Sequence, residues 1–256
     1  MAGYAGRSAA HGPVALIVAH GQPSNPAPAE AELAALAALV APHLPGWLVL
    51  SATLASEGAL AAAVQVAGMG RLVVYPMFMA DGWFTQAHLP DRLIAAGAGV
   101  LHQMVPFGLD PAVQDLTVAL ASEAANAAGL DYSATDLLLA AHGSFRSPAP
   151  SAVAWAMAGR IRAELPFRRV ETAFIDQDPQ IAAVARGMGP AALCLPFFAA
   201  QGGHVIDDLP HALAEAGFTG LLLPPVGLDS RVPGLIAAAL MAADESDGAT
   251  QSARQV

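Results

Sequence analysis

The chain contains no lysine. All 11 of its basic residues are arginines, set against 21 acidic ones, so it carries a formal net charge of −10 over 256 residues. Nucleic acids and anionic membranes both call for a dense basic face, and neither is expected as a partner. Cysteine is nearly missing as well. Cys194 stands alone, which excludes an internal disulfide, and with no cysteine/histidine cluster around it neither structural zinc nor an iron–sulfur centre is expected. Long apolar runs are also lacking: Val232 to Ala243 is among the longest and falls well short of the roughly 20 residues that span a bilayer. Met1 to Pro13 has no apolar core, and Val14 to Ala19 is too short for the hydrophobic part of a signal peptide and is followed by no small-residue cleavage pattern. The expectation is a cytoplasmic protein whose partners are small molecules or metals.

Charge of either sign is scarce, at 12% of residues where an average soluble domain has about a quarter. Hydrophobic residues make up 55%. Disorder is excluded by that balance, and the length suits one large α/β domain or two small ones.

What the chain does have is internal repetition. Val14-Ala-Leu-Ile-Val-Ala-His20-Gly21 returns 122 residues later as Asp136-Leu-Leu-Leu-Ala-Ala-His142-Gly143. Tyr75-Pro76 through Gly82 and on to Leu89-Pro90 returns at an offset of 120 as Leu195-Pro196 through Gly202 and on to Leu209-Pro210. Gly97 and Gly217 keep that offset, and Gly108-Leu109-Asp110 returns at 119 as Gly227-Leu228-Asp229. These ordered matches indicate a duplication. They divide the chain into a flexible N-terminal segment (1–13), an N-terminal lobe (14–130), a C-terminal lobe (136–243) and a polar, disordered tail (244–256).

Within each half, short apolar runs alternate with alanine-rich stretches of helical length, which predicts βα units around a parallel sheet. Strands are expected at 14–19, 48–54, 72–76 and 100–105, then at 137–141, 170–175, 192–196 and 220–223. Helices are expected at 29–41, 58–67, 90–96 and 111–128, then at 151–164, 179–187, 210–216 and 231–242. Proline in the first turn and glycine just past the end bound the segments Pro90–Gly97 and Pro210–Gly217.

Ligands of open parallel sheets gather beyond the carboxyl ends of the strands, where His20, His142, Asp176 and the Gly202-Gly203-His204 turn all fall. Neutral imidazole is a good ligand for cobalt, iron and nickel. His142 and His204, with the Asp176 carboxylate nearby, form a candidate metal pair that leaves coordination positions open. Asp176 and Asp178 also suit a turn ahead of Pro179, and Asp208, directly before Leu209-Pro210, reads as a helix N-cap. His11, His43, His102 and His211 have no partner at metal-ligand spacing and read as solvated or capping residues. Met69, Met77, Met79 and Met104, with Trp47 and Trp155, read as packing residues.

The strand-borne His142-Gly143-Ser144 and the run Pro196-Phe-Phe-Ala-Ala-Gln-Gly202-Gly203-His204-Val-Ile-Asp-Asp208-Leu-Pro210 resemble the two signatures of the CbiX/SirB-type sirohydrochlorin chelatases. The resemblance extends over nearly the whole chain, since long members of that family are themselves duplicated. It implies an α/β fold of two chelatase-type lobes, each a small parallel sheet flanked by helices, with a cleft between them. It also implies insertion of cobalt or iron into sirohydrochlorin for cobalamin or siroheme synthesis, with no organic cofactor and the divalent metal as substrate. By position, the family's two metal-facing histidines fall on His142 and His204, and its acidic residue falls on Asp176, where glutamate is usual.

The N-terminal half departs from that pattern. His20 is kept, but Gln22 replaces the serine, Phe84 stands where the second histidine would be, and Ala55 stands near the position of Asp176. His88 aligns with Asp208 and reads as a cap or surface residue. One working site is therefore expected, in the C-terminal half, with His20, Trp83 and Phe84 forming a wall for a flat macrocycle. His142 and His204 would deliver metal and accept pyrrole protons while Asp176 orients them. Arg146 and backbone N–H groups after Gly143 and Gly203 would anchor the substrate's carboxylates. The alternatives are a non-catalytic metal or tetrapyrrole carrier on the same fold, and a phosphohistidine phosphatase. Ala19 and Ala141 argue against the latter, because they precede the histidines where such enzymes have an arginine. A homodimer is left open.

Overall fold

The computed structural model describes residues 12–68 and 70–253. The expected flexible segment therefore lies outside the described residues except for Gly12 and Pro13, as do His11 and Met69. The first sheet is built from β1 (Val14–Ala19), β2 (Leu48–Thr53), β3 (Leu72–Pro76) and β4 (Leu101–Gln103), and the second from β5 (Asp136–Ala141), β6 (Arg169–Phe174), β7 (Ala192–Pro196) and β8 (Leu221–Leu222). Their strand orders are β2-β1-β3-β4 and β6-β5-β7-β8, the same order in both halves. The register repeats too, with Val14 opposite Leu48 and Ala19 opposite Thr53, then Asp136 opposite Arg169 and Ala141 opposite Phe174. All the recorded pairings are parallel. The duplication is thus architectural.

Helices α1 (Pro26–Val40), α2 (Ala59–Ala67), α3 (Leu89–Ala95) and α4 (Pro111–Ala127) belong to the first half, and α5 (Ala149–Glu164), α6 (Ile181–Ala185), α7 (Leu209–Glu215) and α8 (Val232–Ala253) to the second. They flank the sheets, which explains why the central strands are apolar at successive positions rather than at alternate ones. Val14 through Val18 and Leu137 through Ala140 are buried, as are Met77 and Cys194. Burial pushes the Cys194 thiol up to about 12. Trp155, expected to be packed, is half exposed and sets its ring against Phe174 at 5.4 Å. Contacts group the chain into two compact units: one holds the first sheet, and the other holds the second sheet together with Pro76–His88 and Val105–Leu235.

The Gly-Leu-Asp repeat has a packing cause. A side chain at Gly108 or Gly227 would collide with the carbonyl oxygen of Met79 or Ala199, and each glycine N–H bonds instead to Phe78 O (3.0 Å) or Phe198 O (2.9 Å). The aspartate that follows accepts from the backbone at the next helix, Asp110 from Ala112 N at 3.0 Å and Asp229 from Arg231 N at 2.9 Å. At the amino end of β5, buried Asp136 takes Arg168 at 2.8 and 2.7 Å and Arg169 at 2.9 Å. Arg168, then Arg169, hold its carboxyl well below the usual carboxylate range.

Two expectations about element ends are corrected. α8 does not stop at 242 but runs to Ala253, so residues 244–253 of the supposed disordered tail are helical; the Arg71 guanidinium bonds to Ala243 O and to the Asp244 carboxylate, tying this stretch down. Also, α3 and α7 are each preceded by a five-residue π-helical turn, Phe84–His88 and His204–Asp208. Pro90 and Pro210 have no N–H to offer the carbonyl four residues back and crowd it with their rings, so the turn ahead widens.

Candidate functional site

His142 is the first residue beyond β5. Gly143 after it has φ +71°, which turns its carbonyl back toward the ring, and His142 Nδ1 lies 3.0 Å from Gly143 O. A carbonyl can only accept, so Nδ1 carries the proton and the Nε2 lone pair faces outward. Glycine is required twice over, because a Cβ there would also meet Gln177 Cγ at 2.6 Å and Phe174 Cβ at 2.9 Å. The same device closes β1: Gly21 has φ +73°, His20 Nδ1 lies 2.8 Å from Gly21 O, and a Cβ on Gly21 would strike Thr53.

His204 opens the second π-turn, whose geometry is set by Gly202 O accepting from Val205 N (2.9 Å) and Ile206 N (3.2 Å). Its ring meets that of His142 edge to face, with centroids 4.3 Å apart and planes at 88°. His204 Nδ1 lies 2.6 Å from Asp208 Oδ2. An ionised carboxylate also only accepts, which again leaves Nε2 with its lone pair free. Asp176, beyond β6, is spliced to the same loop by its N–H bond to His142 O (2.9 Å) and holds its carboxylate 3.5 Å from His142 Nδ1. The two rings are 42% and 45% exposed, open to an incoming ligand. Among the described residues no group of three or more His, Cys, Asp or Glu side chains is gathered to hold a metal ion. What the site offers is two neighbouring imidazole rings, both partly exposed.

The expected N-cap role of Asp208 is corrected. The chain is already helical from 204 to 208, so α7 has no frayed start at that point, and the carboxylate makes no capping bond. Sequence reasoning missed its pairing with His204, although the i, i+4 spacing was a usable signal. Gln177 was missed as well: its Oε1 accepts from Ser144 N at 2.8 Å. Ser144 Oγ accepts from Arg146 N (3.1 Å) and Ser147 N (3.3 Å). The backbone donors expected after Gly143 to anchor substrate are therefore consumed in shaping the loop. Arg146 is exposed and, among the described residues, is the arginine whose guanidinium has no acceptor; the other eight each bind a carboxylate or a carbonyl.

Trp83 and Phe84 lie in the same unit as the histidine pair. Trp83 is 63% exposed and stacks on His88 (4.6 Å, 24°), while Phe84 packs edge-on to both. His88 is thus a stacking partner rather than a cap. Phe84 and His88 are the first and fifth residues of their π-turn, as His204 and Asp208 are of theirs. His20 belongs to the other unit.

The sequence pattern of the CbiX family matches residues 136–243, the half that carries the histidine pair. Among solved structures, CbiX, the terminal enzyme for biosynthesis of siroheme in denitrifying bacteria, is similar to this chain at 48% identity, over 90% of this chain and 98% of that one, with a TM-score of 0.81. SirB from Bacillus subtilis with Fe3+ shares the fold at 14% identity, over 90% and 94% of the two chains, with a TM-score of 0.71. The sirohydrochlorin chelatase SirB from Bacillus subtilis subspecies spizizenii, in complex with cobalt, does so at 16% identity over the same shares, with a TM-score of 0.62. No curated protein sequence matches the chain.

Proposed function

Because the chain belongs to the CbiX family, we propose that it inserts a divalent metal ion, cobalt or iron, into sirohydrochlorin. The observation that carries this reading is the edge-to-face pair of His142 and His204, each with Nδ1–H donating to an acceptor of its own and with the Nε2 lone pair left free. Two imidazole ligands hold a metal and leave positions for the pyrrole nitrogens that replace them. As the metal passes into the ring, two pyrrole N–H protons leave, and the imidazoles and the Asp176 carboxylate beside them accept those protons. The metal is a substrate, and no organic cofactor is called for.

Sirohydrochlorin is a flat polycarboxylate. The exposed face of Trp83 with Phe84 suits its apolar plane, the unpaired Arg146 suits a rim carboxylate, and the Gly143-Ser144 and Gly202-Gly203 loops give close approach. In this reading residues 14–130 and 136–243 are the two copies, of which the second does the chemistry. No helix among the described residues is long and apolar enough to cross a membrane. The test is an absorbance time course of sirohydrochlorin with excess cobalt(II), then iron(II), at catalytic protein concentration, repeated with His204→Ala. Many turnovers that vanish in the variant are expected. Stoichiometric binding with no released product would instead mark a carrier.

A further inference from the structure

We propose that Asp208 is the positioning residue of this site, holding His204 in the one tautomer and orientation that can take a metal. The inference rests on the chelatase reading and adds a residue to it. The two histidines are held differently: His142 donates to a backbone carbonyl, which no substitution of a side chain removes, whereas His204 depends on a single carboxylate at 2.6 Å. Without an acceptor at Nδ1, an imidazole in water is free to carry its proton on Nε2, which blocks the lone pair the metal needs.

A structural reason for Asp208 would be that it builds the turn, and the other half of the chain argues against that. The π-turn Phe84–His88 forms at the matching position, ahead of the matching Leu-Pro, with His88 where Asp208 would stand. Asp208 also makes no bond to a backbone N–H, and among the described residues His204 is its hydrogen-bond partner. The half that has lost the histidine has lost the carboxylate with it, as expected if the two work as one unit.

Long-range 1H–15N spectra of the metal-free full chain, with His204 assigned by its disappearance in His204→Gln, report which ring nitrogen is protonated. Nδ1–H is expected at His204 in the wild type and Nε2–H in Asp208→Ala. Cobalt(II) affinity and kcat should fall by about 10- to 100-fold in Asp208→Ala, while KM for sirohydrochlorin and the melting temperature stay unchanged. Asp208→Glu should recover most of the loss, and Asp207→Ala, which removes the same charge one residue away, should change nothing. If Asp208→Ala fails to fold, Asp208→Leu gives the same comparison, since its side chain is of similar size and offers Nδ1 no acceptor. An unchanged Nδ1–H, or unchanged cobalt binding, in the alanine or leucine variant overturns the assignment. A wild type that binds cobalt through His204 without ever metallating sirohydrochlorin would overturn the chelatase reading and leave Asp208's role intact.

Discussion

His142 and His204 meet edge to face at 4.3 Å although one directly follows β5 and the other opens the π-turn that comes after β7. The contact follows from topology: β5 and β7 are parallel neighbours, with Asp136 beside Ala192 and Ala140 beside Pro196, so their carboxyl ends open at the same edge of the sheet. The local turns then decide where each ring points, and that dependence can be tested.

Gly143→Ala should lower stability by about 1–3 kcal/mol, because alanine strains at a positive φ and its Cβ meets Gln177 and Phe174. Relief of that strain moves the carbonyl that holds His142, so turnover should fall further than in Gly21→Ala, whose comparable strain lies beside His20. Thermal denaturation and turnover of both variants check the pair.

Arg146→Ala should raise KM for sirohydrochlorin by roughly tenfold, the loss of one charge-assisted bond, with kcat and melting temperature unaltered. No acceptor among the described residues loses a partner in this variant. An unchanged KM would remove Arg146 from the substrate site.

Trp83→Leu should weaken macrocycle binding and abolish most of the quenching of tryptophan fluorescence that sirohydrochlorin causes. Of the three tryptophans, Trp83 is the most open, at 63% exposure. Titration of fluorescence in the variant and the wild type measures both effects, and equal quenching would place the macrocycle elsewhere.

Asp136→Asn should cost about 1–3 kcal/mol at neutral pH, the range for hydrogen bonds to charged partners. The folded-state pKa of Asp136 is depressed by Arg168 and Arg169, so its contribution is complete above the unfolded value of about 3.9 and is lost as pH falls through the lower folded one. Melting temperatures of wild type and variant should therefore converge as pH drops below about 4. A gap that persists there would mean that the carboxylate's charge is not what stabilises the wild type.

Much of this was legible from sequence because it is periodic or repeated. The Val14–Ala19 run and the Leu137–Ala141 part of β5 are continuous apolar stretches followed by His-Gly, which places each strand and its carboxyl end. The offset of 120 also matched Phe84 to His204 and His88 to Asp208, as the two π-turns bear out. What escaped were hydrogen bonds made possible by shapes that have no sequence signature. Asp208 read as a cap because an aspartate ahead of Leu-Pro usually starts a helix, and only the widened turn makes it a partner for His204. Ser144 stood out only as the third residue of the His-Gly-Ser motif, and nothing in the sequence showed that its hydroxyl accepts from Arg146 N and Ser147 N. The bonds from Arg71, far away in sequence, to Ala243 O and Asp244 at the start of the 244–253 stretch have no local pattern to announce them.

The paired π-turns bear on how such a site arises and decays. After a duplication, each half inherits a scaffold whose backbone is fixed by a glycine before the turn and a Leu-Pro after it, while the first and fifth positions of the turn remain open to change. One lineage of the turn keeps imidazole and carboxylate there, and the other has exchanged them for a phenylalanine and a histidine that stacks on an indole. The exchange left the backbone of the turn in place, so the molecule is asymmetric in the side chains its two turns carry while its topology stays doubled.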